Sequence, residues 1–182
     1  MDQSFQLSGR LFDRDSWTAA QWCSMERSLG LIGTRSAMTL LREAFYGATR
    51  FDDLVRRAGV TPAVGAQRLR DMVAHGLLER QPYREPGQRT RYAYTITPLG
   101  LEVFPVIAAL TRLGDQLPDP RENAILLTHA GCGEPIRAEV RCGRGHVVRP
   151  ADVVVSVVDE RDSTPPDQGS GGATKHESQG GD

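Results

Sequence analysis

The hydrophobic periodicity of the chain changes at Gly76, and this change limits the possible folds more than any other feature. Between Cys23 and His75, apolar residues recur at spacings of three and four, which predicts four short helices. The fourth begins at Thr61-Pro62, an N-cap residue followed by proline at the first helical position. After Gly76 the pattern becomes typical of strands. Short helices joined by a tight turn and followed by a hairpin are typical of a winged helix-turn-helix.

The expected wing is a two-stranded hairpin. Residues 77–81 can form its first strand, and residues 91–97 alternate in polarity, which predicts the second. Pro86-Gly87 is a turn signal between them. A long helix is then expected from Thr97 to about Leu117, with Pro105 either kinking it or lying where the lost hydrogen bond is tolerated. The residues predicted to face inward on this helix are Leu101, Phe104, Ile107, Ala108 and Leu110.

The fold class predicted from this order is mainly α with a β-hairpin wing, followed by a small β-rich C-terminal unit. The expected segments are an N-terminal arm (1–22), the winged-helix domain (23–117), the C-terminal unit (118–160) and an acidic tail (161–182). Short strands are expected at 125–128, 136–140 and 153–158. The tail is expected to be disordered, because it cannot bury enough apolar surface to offset its ordering entropy.

Composition and motifs exclude several classes of protein. The 182 residues contain no apolar run of the roughly 18–20 residues that a membrane span requires. The N-terminus lacks the basic and apolar regions of a secretory signal, and three cysteines are too few for a disulfide scaffold, so a cytoplasmic protein is expected. Nucleotide-binding glycine loops and the H-E-x-x-H motif are absent, and Asp52-Asp53 is explained by its position at a helix start. No catalytic residue is predicted.

The distribution of charge favours double-stranded DNA as a partner. The net charge is −1, but residues 23–117 carry 13 basic and 9 acidic side chains, whereas residues 151–182 carry 2 and 7. In a helix-turn-helix, the N-terminal half of the second helix enters the major groove. The predicted groove-facing residues are Thr61, Ala63, Gln67 and Arg70, and the predicted wing contacts are Arg84, Gln88, Arg89 and Arg91. Of these, Gln67 can pair bidentately with adenine, and Arg70 with guanine or a phosphate. The alternative is a solvated polar helix face beside a charged surface hairpin.

Several motifs in this order resemble those of HxlR-type transcriptional regulators, which are MarR-like winged-helix proteins. The resemblance covers about residues 23–115 without a gap. The matching motifs are CSMERSLGLIG (23–33), LLRE (40–43), FYG (45–47), RFDDL (50–54), QRLR (67–70), GLLER (76–80) and YTITPLG (94–100). The resemblance implies a homodimeric regulator that binds a partly palindromic operator. Repression is the expected direction of control, because a dimer across a promoter blocks polymerase without further machinery. It also implies that residues 17–32 and 97–117 form the dimer contacts.

The chain departs from the family pattern at three positions and in everything after residue 118. Ser36 replaces a usual tryptophan, Ala63 a common lysine, and Gly65 a larger apolar residue.

Two alternative functions stay open. One is a regulator controlled by a small molecule bound near the dimer interface, between the long helix and the DNA-binding core. The other is a protein-interaction module whose winged helix no longer binds DNA.

Cys23 is the candidate redox-sensing residue. It matches the N-terminal cysteine that several members of the family use to sense oxidants or electrophiles. A thiol at a helix N-terminus has its thiolate favoured by the helix dipole, and Arg27 could add to this effect. The alternative is a small apolar side chain that packs at the dimer interface.

Four residues after position 118 have the spacing of a small zinc ribbon. His129 and Cys132 form one ligand pair, and Cys142 and His146 form a second. A short unit with few apolar residues would gain stability from a structural zinc ion, the one cofactor that the sequence suggests. The alternatives are a degenerate ribbon that has lost its metal and a Cys132–Cys142 disulfide in oxidised protein.

Overall fold

A computed structural model describes residues 4–16, 18, 23–84, 86–87, 89–118 and 125–157. Two compact units are present: residues 18–148, and residues 1–17 together with 149–182. The helices are α1 (Ser24–Ile32), α2 (Arg35–Phe45), α3 (Phe51–Ala58), α4 (Pro62–Ala74), α5 (Pro98–Leu101) and α6 (Phe104–Gln116). The strands are β1 (Gln6–Leu7), β2 (Leu78–Tyr83), β3 (Arg91–Ile96) and β4 (Val154–Val155). Within the described residues, no helix is both long and apolar enough to cross a membrane.

Local signals set the ends of α2, α3 and α4, and the signal at Thr61-Pro62 is the one that the sequence predicts. Thr34 caps α2, because its Oγ1 accepts the Ala37 N–H at 3.2 Å. Gly59 ends α3 in the left-handed conformation at φ +64°. Thr61 caps α4 by accepting the Val64 N–H at 3.4 Å, and Pro62 follows at the start of the helix. The turn between α3 and α4 is therefore as short as the predicted helix-turn-helix requires.

The winged-helix core lies where α2, α3 and α4 pack together against the hairpin. Burying a leucine or methionine side chain contributes about 1.5–3 kcal/mol relative to leaving it exposed. The largest fully buried side chains are Leu40, Leu41, Leu54, Leu69, Met72 and Leu78. Because α2, α3, α4 and β2 all contribute to this set, the core fixes α4 against its neighbours and leaves its opposite face in solvent.

Gly65 allows α4 to approach α3 closely. Gly65 is buried, and a Cβ atom there would overlap Cγ2 of Val55 and lie 3.7 Å from Cγ2 of Val60. The departure from a larger apolar residue at this position thus has a packing reason. Glycine lowers the stability of a helix by about 1 kcal/mol relative to alanine. In return, its missing side chain lets α3 and α4 approach closely at this position.

The hairpin forms with a slightly different extent from the prediction. β2 and β3 pair in antiparallel fashion from Leu78–Ile96 to Tyr83–Arg91. β2 therefore continues two residues beyond the predicted end at Gln81. Gly87 supplies the turn conformation at φ +77°.

The single helix predicted from Thr97 to Leu117 is wrong, because α5 and α6 are separate helices. Thr97 caps α5 by accepting the Gly100 N–H at 3.0 Å. Pro105 lies in the first turn of α6, where its missing N–H removes no hydrogen bond within the helix. The proline therefore belongs to the start of a second helix rather than to a kink in one long helix.

The break also changes which side chains of this region are buried. Ile107 and Ala108 are buried as predicted, and Val103 is buried although the prediction did not include it. The prediction of Leu101, Phe104 and Leu110 as inward-facing is wrong, since all three are exposed.

The C-terminal region has less strand than predicted. Residues 125–128 and 136–140 form no strands and contribute only one isolated bridge, Thr128–Pro135, and a second bridge joins Arg141 to Val147. Each bridge closes a tight turn with a positive-φ glycine, and Pro135 has no N–H to extend the first one. Of the strand expected at 153–158, only β4 forms, and it pairs in parallel with β1. The predicted tail, residues 161–182, lies outside the described residues.

Candidate nucleic-acid interface

The exposed face of α4 carries the residues that the sequence predicts to face a DNA groove. Thr61, Ala63, Gln67 and Arg70 are all exposed. Gly65, Leu69 and Met72 on the opposite face are buried in the core. The helix is thus anchored along one side and presents polar side chains on the other, and Arg70 is the charged residue among the four predicted ones. This arrangement has the two-sided character expected of a groove-inserting helix.

A short chain of hydrogen bonds connects the polar side chains of this face. Gln67 Nε2 donates to Asp71 Oδ1 at 2.8 Å, and Arg70 Nη2 donates to Gln67 Oε1 at 2.6 Å. Arg68 Nη1 lies 3.7 Å from Asp71 Oδ2. Asp71 therefore holds the amide of Gln67, and Gln67 in turn holds the guanidinium of Arg70. The sequence prediction did not include Asp71, although the i, i+4 spacing from Gln67 is a signal for such a contact.

The wing presents three of its four predicted contact residues. Arg84, Arg89 and Arg91 are exposed, whereas Gln88 lies outside the described residues. Arg91 is also tied to the helical core, because its Nη1 lies 3.4 Å from Asp52 Oδ2. This ion pair links β3 to the start of α3.

Two further arginines, which the sequence prediction did not include, lie against tyrosines of the hairpin. The guanidinium of Arg80 lies 4.5 Å from the ring centroid of Tyr92, and that of Arg50 lies 5.1 Å from the ring centroid of Tyr83. Burial raises the pKa of Tyr94, and the positive charges of Arg80 and Arg70 act in the opposite direction. Arg70 of α4 and Arg80 of β2 are therefore both near enough to Tyr94 to affect it electrostatically.

Val64 is a second residue of α4 that the sequence left unassigned. It lies between the N-cap and the polar face, and its side chain is 40% exposed. An apolar side chain beside polar groups can contact the methyl group of thymine in a major groove. Position 64 falls between the predicted inner and outer faces, so periodicity gave no signal for it.

The two neighbouring carboxylates at the start of α3 each have an arginine partner. Asp52 pairs with Arg91, and Asp53 Oδ1 lies 2.6 Å from Nη2 of Arg56. The hydrogen bond from Arg56 lowers the pKa of the Asp53 carboxyl below its ordinary value. Both carboxylates therefore have structural contacts, in agreement with their position at a helix N-terminus.

Comparison with known proteins agrees with this geometry. The family model of the HxlR-like helix-turn-helix matches residues 31–122, which are 92 of the 182 residues. The chain belongs to the HxlR-like helix-turn-helix family. The matched stretch contains α2 to α6 and the hairpin, so it includes all of the residues predicted to contact DNA.

Proteins similar to this HxlR-like protein include a transcriptional regulator and two proteins of known structure. An uncharacterized HTH-type transcriptional regulator of Mycobacterium tuberculosis is 38% identical over 120 residues, which are 65% of this chain and 75% of that protein. The crystal structure of PA1607, proposed to be a transcription factor, is 30% identical with a TM-score of 0.65 and covers 76% of this chain and 99% of that one. PA1374 of Pseudomonas aeruginosa, also proposed to be a transcription factor, is 28% identical with a TM-score of 0.54 and covers 76% and 97%.

In this HxlR-like protein, Cys23 occupies the N-cap of α1. Its thiol is partly exposed and makes no side-chain capping hydrogen bond. The guanidinium of Arg27, expected to favour the thiolate, donates from Nη2 to Ser24 Oγ at 3.2 Å. Cys23 is therefore placed at the helix N-terminus as predicted, and its response to oxidants stays a prediction.

The four predicted zinc ligands lie on two separate turns. His129 Nδ1 lies 3.3 Å from Cys132 Sγ in the first turn. In the second turn, the backbone N–H groups of Arg144 and His146 lower the pKa of the Cys142 thiol. Among the described residues, no three His, Cys, Asp or Glu side chains lie close enough together to hold a metal ion. The four side chains are therefore not gathered into one metal site in this structure, and a structural zinc ion stays a prediction. Cys132 and Cys142 are free thiols here, and the disulfide expected in oxidised protein also stays a prediction.

Proposed function

We propose that this HxlR-like transcriptional regulator binds duplex DNA as a homodimer, with α4 of each copy in the major groove. The observation that carries the proposal is the exposed face of α4, which presents Thr61, Gln67 and Arg70 beside a wing with further arginines. Arginine and glutamine are suited to base edges, and arginines on a hairpin are suited to phosphates. We propose a binding protein without catalytic activity, and repression as the direction of control, because a bound dimer blocks polymerase without further machinery.

The apolar surface of α6 supports the homodimer. Four large apolar side chains lie along this helix and at its C-terminal end at spacings of four, three and four, and they are between 42% and 59% exposed. They are Val106, Leu110, Leu113 and Leu117. We name them the α6 stripe. This spacing is that of a helix-packing seam, which is stable when another helix covers it.

A similar but shorter pattern occurs on α1. Met25 and Leu29 are exposed one turn apart, and Ile32 continues their row. Contiguous apolar surfaces of this kind mark interaction sites in proteins. We propose that a second copy of the chain covers both helices, in the regions that the family resemblance implies. The two α4 helices would then need to be about 34–36 Å apart to enter successive major grooves.

The test of DNA binding uses operator fragments recovered by genome-wide pull-down with the purified protein. We expect binding whose affinity falls steeply with salt, because arginines on α4 and the wing displace counterions from phosphates. We expect Arg70→Ala to weaken operator binding by about 5-fold to 150-fold, the range for loss of a base contact worth about 1–3 kcal/mol. Affinity is measured by fluorescence anisotropy at several salt concentrations.

The matched control for Arg70→Ala is Arg141→Ala, in the C-terminal turn, where Arg141 is paired with Glu139. This variant should bind the operator with unchanged affinity. Recovery of no specific DNA, or binding without salt dependence, would contradict the proposal and favour the protein-interaction module.

A cavity between α2 and α6 favours a second candidate, a regulator controlled by a small molecule. The cavity has a volume of about 250 Å³, close to the lower end of the roughly 300–1,000 Å³ of ligand pockets. Met38 of α2 and Ile107 of α6 give it an apolar lining, and Arg35 adds positive charge, whereas Arg42 is paired with Glu43 at 2.7 Å. Release of the operator by a small anionic ligand, abolished in Met38→Trp but with DNA binding retained, would support this candidate.

Control by oxidants through Cys23 is a separate prediction. Oxidation of a thiol at the N-cap of α1 would place a polar or bulky group beside the α1 surface that we assign to the dimer. We expect peroxide or a quinone to weaken operator binding by the wild type and to leave Cys23→Ser unchanged. Cys132→Ser, which removes an exposed thiol of the C-terminal region, is the control and should respond like the wild type. Equal responses of the wild type and Cys23→Ser would exclude sensing by this residue.

A further inference from the structure

Both polar ends of the Gln67 side chain make hydrogen bonds within α4. A glutamine that recognises adenine uses its amide oxygen and its amide nitrogen together, on N6 and N7 of the base. In this protein the amide nitrogen donates to Asp71 at 2.8 Å, and the amide oxygen accepts from Arg70 at 2.6 Å. Each end of the amide keeps a second donor hydrogen or lone pair, but the two bonds fix its orientation, so Gln67 could pair with adenine only from that orientation.

Arg70 keeps more of its hydrogen-bonding capacity than Gln67 does. A guanidinium has five N–H donors, and the bond to Gln67 uses one of them. That bond holds the planar group along the exposed face of α4. A guanidinium held in one plane is suited to the two acceptors of guanine, O6 and N7, because its donors already have the required fork geometry.

We propose that Arg70 recognises a guanine in each half of the operator, and that Gln67 and Asp71 are positioning residues for Arg70. The inference rests on the proposed DNA binding and goes beyond it by assigning the base. The alternative partner for Gln67, adenine, is the one that the sequence pattern suggests.

The role of Asp71 follows from its two neighbours on the helix. Its carboxylate accepts from Gln67 and also lies 3.7 Å from Arg68, so it is held between residues three and four positions earlier. A carboxylate facing phosphates would weaken binding by repulsion, whereas one engaged by Arg68 and Gln67 is partly neutralised. Asp71 thus fixes which way the Gln67 amide points, with its nitrogen towards Asp71 and its oxygen towards Arg70.

The experiment replaces single purines in the recovered operator with 7-deaza analogues, which lack the N7 acceptor. For the wild type, we expect 7-deazaguanine at one position of each half-site to lower affinity by about 5-fold or more, the lower end of a bidentate base contact. In Arg70→Ala, 7-deazaguanine at that position should not lower the affinity any further. Substitution with 7-deazaadenine along the α4 half-site should change wild-type affinity by less than twofold.

Variants of the two positioning residues separate them from structural residues. Gln67→Met keeps the length of the side chain but removes both hydrogen bonds, so we expect the 7-deazaguanine effect to shrink while the salt dependence stays the same. Asp71→Asn retains an oxygen that can accept from Gln67, so it should keep the effect, whereas Asp71→Ala should reduce it. Circular dichroism and thermal unfolding verify that each variant is folded.

The outcomes distinguish this inference from the proposed function. A protein that binds its operator with steep salt dependence but is insensitive to 7-deazaguanine uses Arg70 on phosphate, which overturns the inference alone. Sensitivity to 7-deazaadenine that disappears in Gln67→Met makes Gln67 the base-contacting residue and also overturns it. Absence of any specific DNA binding overturns the inference together with the proposed function.

Discussion

Replacement of Gly100 with alanine should lower the free energy of unfolding by about 3 kcal/mol, the upper part of the usual range for overpacking a core. Gly100 is buried in α5, where a Cβ atom would overlap the backbone carbonyl oxygen of Leu77 and lie 2.8 Å from Cγ2 of Ile96. The carbonyl of Leu77 cannot move freely, because it accepts the Thr97 N–H at 3.1 Å. The added methyl group must therefore displace the backbone at the junction of α4, β2 and α5.

Gly114→Ala is the matched control for this substitution. Gly114 lies within α6, and a Cβ atom there would meet nothing within 4 Å. Because alanine has the higher helix propensity, we expect this variant to gain about 0.5–1 kcal/mol. Urea unfolding followed by circular dichroism measures both changes. Equal stability of Gly100→Ala and the wild type would show that α5 can move away from Leu77 without cost.

The sequence predicts the helix-turn-helix well because local signals determine it. The N-cap at Thr61, the proline after it and the left-handed glycine at position 59 act within one turn of helix. Their effects therefore depend little on the rest of the chain. The buried and exposed faces of α4 follow from the same 3.6-residue period.

The sequence predicts the region after Ile96 less well because tertiary contacts decide it. Pro105 is compatible with a kinked helix and with a helix start, and only the packing of Val103 and Ile107 selects the second. In the C-terminal region, runs such as 136–140 have the composition of strands. Within the described residues they form isolated bridges and single backbone hydrogen bonds, such as the one from the Ile136 N–H to the Leu127 carbonyl, rather than a continuous ladder.

In the candidate interface, too, some features follow from the sequence pattern and others depend on the three-dimensional structure. Exposure of Thr61, Gln67 and Arg70 follows from periodicity, so the sequence predicts which side chains are available to DNA. The bonds among Gln67, Arg70 and Asp71 depend on side-chain rotamers, which residue types and spacing do not specify. For this reason the sequence suggests adenine for Gln67, and the structure suggests a positioning role.

Periodicity also fails to separate the core of one chain from a surface shared by two copies. Both kinds of surface are apolar rows on a helix, so the sequence predicts Leu110 as inward-facing, whereas the structure shows it 48% exposed. If a second copy covers the α6 stripe, the prediction of an apolar environment for Leu110 applies to the dimer rather than to the single chain.

Leu113→Glu should therefore dissociate the dimer and weaken operator binding by about 10²-fold or more, because the two half-sites lose their linkage. Leu113 is 54% exposed in the middle of the α6 stripe, where a carboxylate from each copy would have to be buried without a partner. Size-exclusion chromatography with light scattering measures the mass, and anisotropy measures DNA binding.

Leu126→Glu is the control, since Leu126 is equally apolar and 66% exposed but lies outside the stripe. A Leu113→Glu protein that stays dimeric would show that another surface joins the copies. Retained operator affinity in a monomer would show that one α4 is sufficient for binding.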